Sequence, residues 1–119
     1  MPVDPDLLEH VTDLFSGQGP IRLGHLFGGT SLYIDDAMFA VVFGETVFMK
    51  SDKITHPRFD EAGSVAFSYQ TKNGEREIPG LMSLPESAMD DPDEAQDWLQ
   101  TSLVPARKAA AKRKKHEHW

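Results

Sequence analysis

Three groups of residues in this 119-residue chain carry side chains that could do chemistry. The first is His25 with the Gly28-Gly29 pair just after it. An imidazole titrates near neutrality, and glycines let a backbone approach a ligand closely, so together they could frame a ligand or acid–base site. No second His, Asp or Glu stands at a diagnostic spacing from His25, however, and the reading favoured by its surroundings is a half-exposed or hydrogen-bonded strand histidine. The glycine pair reads as a turn or bulge. The second group is the acids Asp4/Asp6, Asp35/Asp36 and Asp90/Asp91/Asp93, all at expected helix starts or turns, where capping and turn bonding account for them. They would serve a paired-carboxylate hydrolase only if two converged in a cleft. The third is His116-Glu117-His118, whose imidazoles face one way in an extended segment but sit at a chain end, which makes at best an adventitious metal site. A Walker loop, a three-glycine dinucleotide fingerprint and a Gly-x-Ser-x-Gly elbow are absent. No residue is therefore assigned a catalytic, cofactor-binding or metal-ligating role, no cofactor is implied, and the chain reads as not an enzyme.

Charge supplies a different feature. The net charge of −7 divides unevenly: residues 1–105 carry eighteen acidic and six basic side chains, and residues 106–119 carry six basic and one acidic. The basic run is Arg107, Lys108, Lys112, Arg113, Lys114 and Lys115. It could solubilise the chain, pair with the acidic body, or contact nucleic-acid phosphates weakly and without sequence preference. It lacks the interleaved aromatics that base stacking needs.

The elements that must position these groups follow from period and punctuation. Asp4-Pro5-Asp6 is a helix start, and Leu7, Leu8, Val11, Leu14 and Phe15 make one apolar face, with Gly17 as the stop. Strands are expected at about Ile21–Phe27, Thr30–Ile34, Ala37–Phe43 and Thr46–Lys50, joined by short turns as an antiparallel meander. The run Ala37–Phe43 is apolar on both faces and so central. A short helix follows from about His56 or Pro57 to Glu61, ended by Gly63. Strands at Val65–Thr71 and Glu75–Ser83 flank Asn73-Gly74, a pair suited to a type I′ hairpin turn, and Pro79 implies an edge or a bulge. A helical turn is expected at about Pro85–Met89. Asp91-Pro92 then starts a last helix with Ala95, Trp98, Leu99, Leu103 and Ala106 on its apolar face, which Pro105 should kink or end near Leu103–Val104. The fold class is α+β: an antiparallel meander flanked by an N-terminal, a short middle and a C-terminal helix. Residues 1–105 form the domain, and 106–119 a basic, mobile helical tail with little to bury.

Absence of cysteine excludes disulfides and thiol chemistry and fits a reducing compartment. No apolar run approaches the ~20 residues of a membrane helix, and the acidic N-terminus lacks the pattern of a signal peptide. The expected location is the cytoplasm, without membrane contact.

Leu26-Phe27-Gly28-Gly29, followed by Leu32-Tyr33-Ile34-Asp35-Asp36-Ala37-Met38-Phe39-Ala40, resembles the signature of the TfoX/Sxy N-terminal domain family. The likeness continues through Val47–Lys50, Arg58–Ser64, Phe67-Ser68-Tyr69, Leu84-Pro85 and Asp91-Pro92 to Trp98. Leu26, Ser31 and Asp36 depart from the usual Met, Gly and Gly, and Gly80-Leu81-Met82 stands where an aromatic pair is common. The resemblance implies an α+β domain in which Phe27, Gly28, Gly29, Leu32, Tyr33, Met38 and Phe39 are structural motif residues. Founding members are regulators of natural competence that act with other transcription factors and carry a separate C-terminal helical domain; this chain reads as a single-domain member without it. The leading expectation is a non-enzymatic regulatory or protein-interaction module, with a protein partner of unknown identity or a homodimer formed through a sheet face or edge. Tail-mediated nucleic-acid contact and a small-ligand or enzymatic site near His25 are the alternatives. Gly28→Val is expected to harm folding before any chemistry.

Overall fold

Asp4-Pro5-Asp6 starts the first helix in the expected way. Asp4 accepts a hydrogen bond from the Asp6 N–H at 3.0 Å, and Pro5 takes the first helical position. The computed structural model of the chain describes residues 4–26 and 28–117, with the backbone alone at Pro79 and at 113–117. Helix α1 (Pro5–Leu14) buries Val11 and Leu14 together with the following Phe15, and Leu7 and Leu8 pack against them. Gly17 is not the stop. The helix ends at Leu14, a 3-10 turn covers Ser16–Gln18, and Gly19 takes a φ of +127°. The cause is distant in sequence: Gln96 Nε2 donates to the Leu14 carbonyl at 3.1 Å and occupies the space beside Gly17.

Six strands among the described residues form one antiparallel sheet: β1 (Ile21–Leu26), β2 (Gly29–Ile34), β3 (Ala37–Phe43), β4 (Thr46–Lys50), β5 (Ala66–Thr71) and β6 (Gly74–Ser83), in the order β1-β2-β3-β4-β6-β5. The first four make the expected meander. The last hairpin joins through its second strand, so β6 is interior and the edge position inferred from Pro79 belongs to β5. The bulge inferred from Pro79 is present: Ala66 pairs with Met82 but Phe67 with Ile78, leaving Pro79-Gly80-Leu81 out of the β5–β6 ladder. Proline is tolerated there because β6 pairs with β4 only over Leu81–Ser83, so no ladder bond is asked of residue 79. A second bulge lies in β3. Leu32 pairs with Ala40 and Tyr33 with Met38, so Phe39 has no partner, and Phe39 and Ala40 both join the core.

Turn chemistry departs from expectation once. Lys72-Asn73 joins Thr71 to Gly74, but Asn73 keeps a negative φ and Gly74 alone is left-handed at +109°, which is not the type I′ geometry. The Thr71 hydroxyl holds the turn, donating to the Gly74 carbonyl at 2.7 Å and accepting from the Asn73 N–H at 3.2 Å.

Helix α2 (His56–Glu61) runs as expected and ends at Gly63, where Ser64 N–H reaches back to the Phe59 carbonyl at 3.0 Å and Gly63 N–H to that of Asp60 at 3.1 Å. A short helix α3 (Glu86–Met89) precedes α4 (Pro92–Glu117), whose start Asp91 caps by accepting from the Asp93 and Glu94 N–H groups. Pro105 does not end α4. It lies buried inside one continuous helix, and Leu103, Ala106 and Ala110 around it are core residues. An interior proline costs a helix roughly 3 kcal/mol, and packing of this apolar stripe on the sheet offsets it. The division drawn at residue 105 therefore falls within a helix, and Ala106 and Ala110 do have something to bury. All helical core residues, from Val11 through Phe59, Ala88 and Trp98 to Ala110, belong to one cluster with Leu32, Phe39, Val42, Val47, Met49 and Met82, so the helices cover one face of the sheet. Among the described residues, no helix is long and apolar enough to cross a membrane.

Candidate functional site

Strand alternation sends the intervening residues to the other face. Val42 and its partner Val47 are in the helix-covered core, so Val41 and its partner Phe48 point away from it. By the same register Arg22, Gly24, Ser31, Tyr33, Phe43, Phe67, Tyr69 and Arg76 share this second face. Its centre is aromatic. The Phe43 and Phe67 rings stack with centroids 4.3 Å apart, Phe48 meets Phe67 edge-on at 5.2 Å, and Tyr69 continues the row at 6.2 Å from Phe67. Toward the opposite edge the Arg22 guanidinium lies 4.2 Å from the centre of the Tyr33 ring. The Phe43–Phe67 contact carries topological information. Strands β3 and β5 are three places apart, roughly 14 Å in a flat sheet. Ring stacking across that interval requires the β5–β6 hairpin to curl over this face, and the Pro79-Gly80-Leu81 bulge is where β6 leaves β4 to do so.

The glycine pair supports this arrangement. Gly28 has a φ of +82° and open space around it, as a turn residue does. Gly29 is buried under Phe43: a Cβ there would lie 2.6 Å from the Val42 carbonyl oxygen and 2.7 Å from Phe43 Cδ1. The absence of a side chain at 29 is what lets the Phe43 ring lie against β2. Of the other motif residues, Leu32 and Phe39 are fully buried in the helix-side core, Tyr33 is half-buried beneath Arg22, and Met38 is half-buried at the start of β3; Phe27 lies outside the described residues. His25 is exposed on edge strand β1, opposite Thr30. No group of three or more His, Cys, Asp or Glu able to hold a metal occurs among the described residues, and His118 is outside them. Another histidine braces the fold: His10 Nε2 lies 2.7 Å from the Met89 carbonyl, tying α1 to α3.

The basic run divides. Arg107, Lys108 and Lys112 are exposed on α4, and the side chains of Arg113, Lys114 and Lys115 lie outside the described residues. Arg107 shares a shallow depression of about 180 Å³ with Asp35 and Asp36. Lys108 is near enough to Asp52 for its charge to act on that carboxylate. Two of the three described cations are thus set against acids of the body. Asp52 Oδ1 accepts from the Thr55 N–H at 2.9 Å, the Ile54 N–H at 3.0 Å and the Thr55 hydroxyl at 3.1 Å. The Thr55 N–H is the main cause of an Asp52 pKa below the ordinary 3.8; burial opposes it, and the Thr55 hydroxyl, the Ile54 N–H and Lys108 add to it. A lowered carboxylate pKa contributes stability that is complete above the unfolded value and lost as pH falls through the folded one. Asp52→Asn keeps an acceptor oxygen but not the charge. Urea midpoints from pH 7 down to about 3 should fall less steeply for the variant than for the parent; parallel curves would remove Asp52 from the acid limb. Beside this loop, a cleft of about 400 Å³ lined by Asp52, Lys53, His56, Pro57 and Gly80 opens where the β6 bulge meets α2.

Sequence reasoning placed Phe67 and Tyr69 on one face but missed their union with Phe43 and Phe48. The signal was alternation in each strand; what was missing was the curl that joins strands three places apart.

Comparison with known proteins agrees with this arrangement of residues. A search of curated proteins finds no match. The sequence model of the TfoX N-terminal domain matches residues 13–106, which spans every element from the end of α1 to the core half of α4. The glycine pair, the whole sheet, α2, α3 and the core half of α4 fall within that match, and the chain belongs to the TfoX N-terminal domain family.

Proposed function

We propose that this domain is a non-enzymatic, cytoplasmic regulatory module that acts by binding another protein through the helix-free face of its sheet. The observation that carries the reading is the aromatic row Phe43, Phe48, Phe67 and Tyr69: the three phenylalanines are half-buried and Tyr69 is 41% exposed, on a face that the helices leave uncovered. Large aromatic side chains at a partly dry surface are the usual anchors of protein interfaces, because they bury much area for few frozen torsions. Family membership supports both parts, since the TfoX N-terminal family suggests a regulatory module and is not a known enzyme family. A second copy of the chain is one partner this face could take.

Tyr69→Ser tests the reading with little risk to the fold, because the ring is exposed. Binding to the captured partner, or self-association in sedimentation, should weaken roughly tenfold or more, as loss of an anchoring tyrosine does. Equal binding by parent and variant, with both natively folded, would place the interaction elsewhere.

A further inference from the structure

The two edges of the sheet differ in what they carry. Edge strand β1 holds the exposed cation Arg22 and, at its centre, Gly24, both of which discourage another strand from pairing there. Edge strand β5, with Val65 just before it, reads Val65-Ala66-Phe67-Ser68-Tyr69-Gln70-Thr71 and has no charge, proline or glycine. Its outer side ends the sheet among the described residues, leaving a row of backbone groups without a strand partner. Ser68, Tyr69 and Gln70 are exposed and Val65 is 64% exposed, so the curl of the hairpin leaves this edge open. Alternation divides its side chains. Phe67 and Tyr69 lie on the aromatic face, and Ser68 and Gln70 on the other, where they pair with Glu77 and Glu75 of β6.

We infer that the partner of this edge is a second copy of the chain, the two β5 strands pairing antiparallel about a two-fold axis at Ser68. The inference rests on the protein-binding reading above and names its partner. Directly opposed residues of an antiparallel pair share a face, so a two-fold axis normal to the sheet must pass between one residue and its own copy. Placing Ser68 there overlaps all of Val65–Thr71 and sets Phe67 of each copy against Tyr69 of the other, so the aromatic row runs on across the joint. Placing Tyr69 there would oppose the two tyrosines and leave Phe67 facing Thr71. On the other face Ser68 meets Ser68, and Gln70 meets Ala66. No like charges oppose each other. The two Glu77 side chains would stand three strand spacings apart, roughly 14 Å, beyond the ~8 Å over which exposed charges act in physiological salt. Lys72, the first charge after β5, would fall opposite Ser64 of the second copy, just past Asp60-Glu61 at the end of α2. A strand that matches itself in this register favours a second copy over an unrelated segment, and the net charge of −7 is kept off the joint.

The test is sedimentation of the full chain and of two variants at the exposed Ser68, where circular dichroism should show both natively folded. The parent should sediment as a concentration-dependent dimer. Ser68→Glu sets two carboxylates face to face on the axis and should weaken association roughly tenfold or more. Mixed with Ser68→Lys, it should associate again as a one-to-one pair, tighter than Ser68→Glu with itself, because unlike charges meet only where residue 68 faces its own copy. Three outcomes would overturn the inference: a parent that stays monomeric at millimolar concentration, Ser68→Glu dimerising as tightly as the parent, or a mixture no tighter than Ser68→Glu alone. If Tyr69→Ser still weakens capture of a different protein in any of those cases, the protein-binding reading stands and only the identity of the partner is wrong.

Discussion

Gly29→Ala is expected to lower the unfolding free energy by about 3 kcal/mol, the upper range for overpacking, although it adds a single methyl group. The new Cβ would lie 2.6 Å from the Val42 carbonyl oxygen, a backbone atom held in the β2–β3 ladder, and 2.7 Å from Phe43 Cδ1. Neither neighbour can withdraw cheaply. Moving the ladder breaks pairing, and moving Phe43 undoes its stack on Phe67. Gly28→Val should cost less, roughly 1–2 kcal/mol, because its φ of +82° strains a side chain but nothing occupies the space around it. The expectation from sequence that Gly28 is vulnerable is thus kept in kind, while the larger penalty passes to its neighbour. Chemical denaturation of both variants decides the order; Gly29→Ala at parental stability would sink the close-approach account.

Phe59→Ala should cost about 3–5 kcal/mol, the range for truncating a fully buried phenylalanine. Phe59 has no exposed surface and stacks on Trp98 with centroids 4.6 Å apart, so it is the peg that fixes α2 to α4. Arg58 adds a second grip on the same helix: its guanidinium lies 4.6 Å from the Trp98 ring centre and donates to the Thr101 hydroxyl. That grip is exposed, and Arg58→Ala should cost only about 1 kcal/mol. The chain has two tryptophans, so a Trp119→Phe background makes Trp98 the sole indole reporter. In it, Phe59→Ala should shift emission to the red as well as lower the denaturation midpoint. A midpoint change no larger than that of Arg58→Ala would mean that α2 is held by something else.

Much of the fold was legible because its cues are local. Alternating or unbroken apolar runs between turn residues mark β1 to β4, Asp4-Pro5 and Asp91-Pro92 cap helices, and the i, i+3, i+4 pattern from Ala95 to Ala106 marks the buried stripe of α4. Three of the departures share a cause, which is that a distant residue overrode a local signal. Gln96 ends α1 ahead of Gly17, burial of Leu103, Ala106 and Ala110 carries α4 through Pro105, and β5 takes the edge that Pro79 suggested for β6. The candidate site was half legible. Each of Phe43, Phe48, Phe67 and Tyr69 can be given a side of its own strand, but no rule of spacing says that β3 and β5 touch across two intervening strands. The basic run was easier to see, yet its charges are partly answered by Asp35, Asp36 and Asp52, which sequence distance hides.

The ties between α1 and the last helices also set when this chain can fold. His10 reaches Met89 across 79 residues, and Gln96 reaches Leu14 across 82. Within this domain, α1 is therefore completed by a helix made after the whole sheet. Until α4 has left the exit tunnel, Val11, Leu14 and Phe15 face water and the sheet has no roof. Loop-closure entropy over such spans makes the final docking slow relative to hairpin formation. A nascent chain halted before Trp98 should remain sensitive to protease throughout, and resistance should arrive in one step when the apolar stripe of α4 is released.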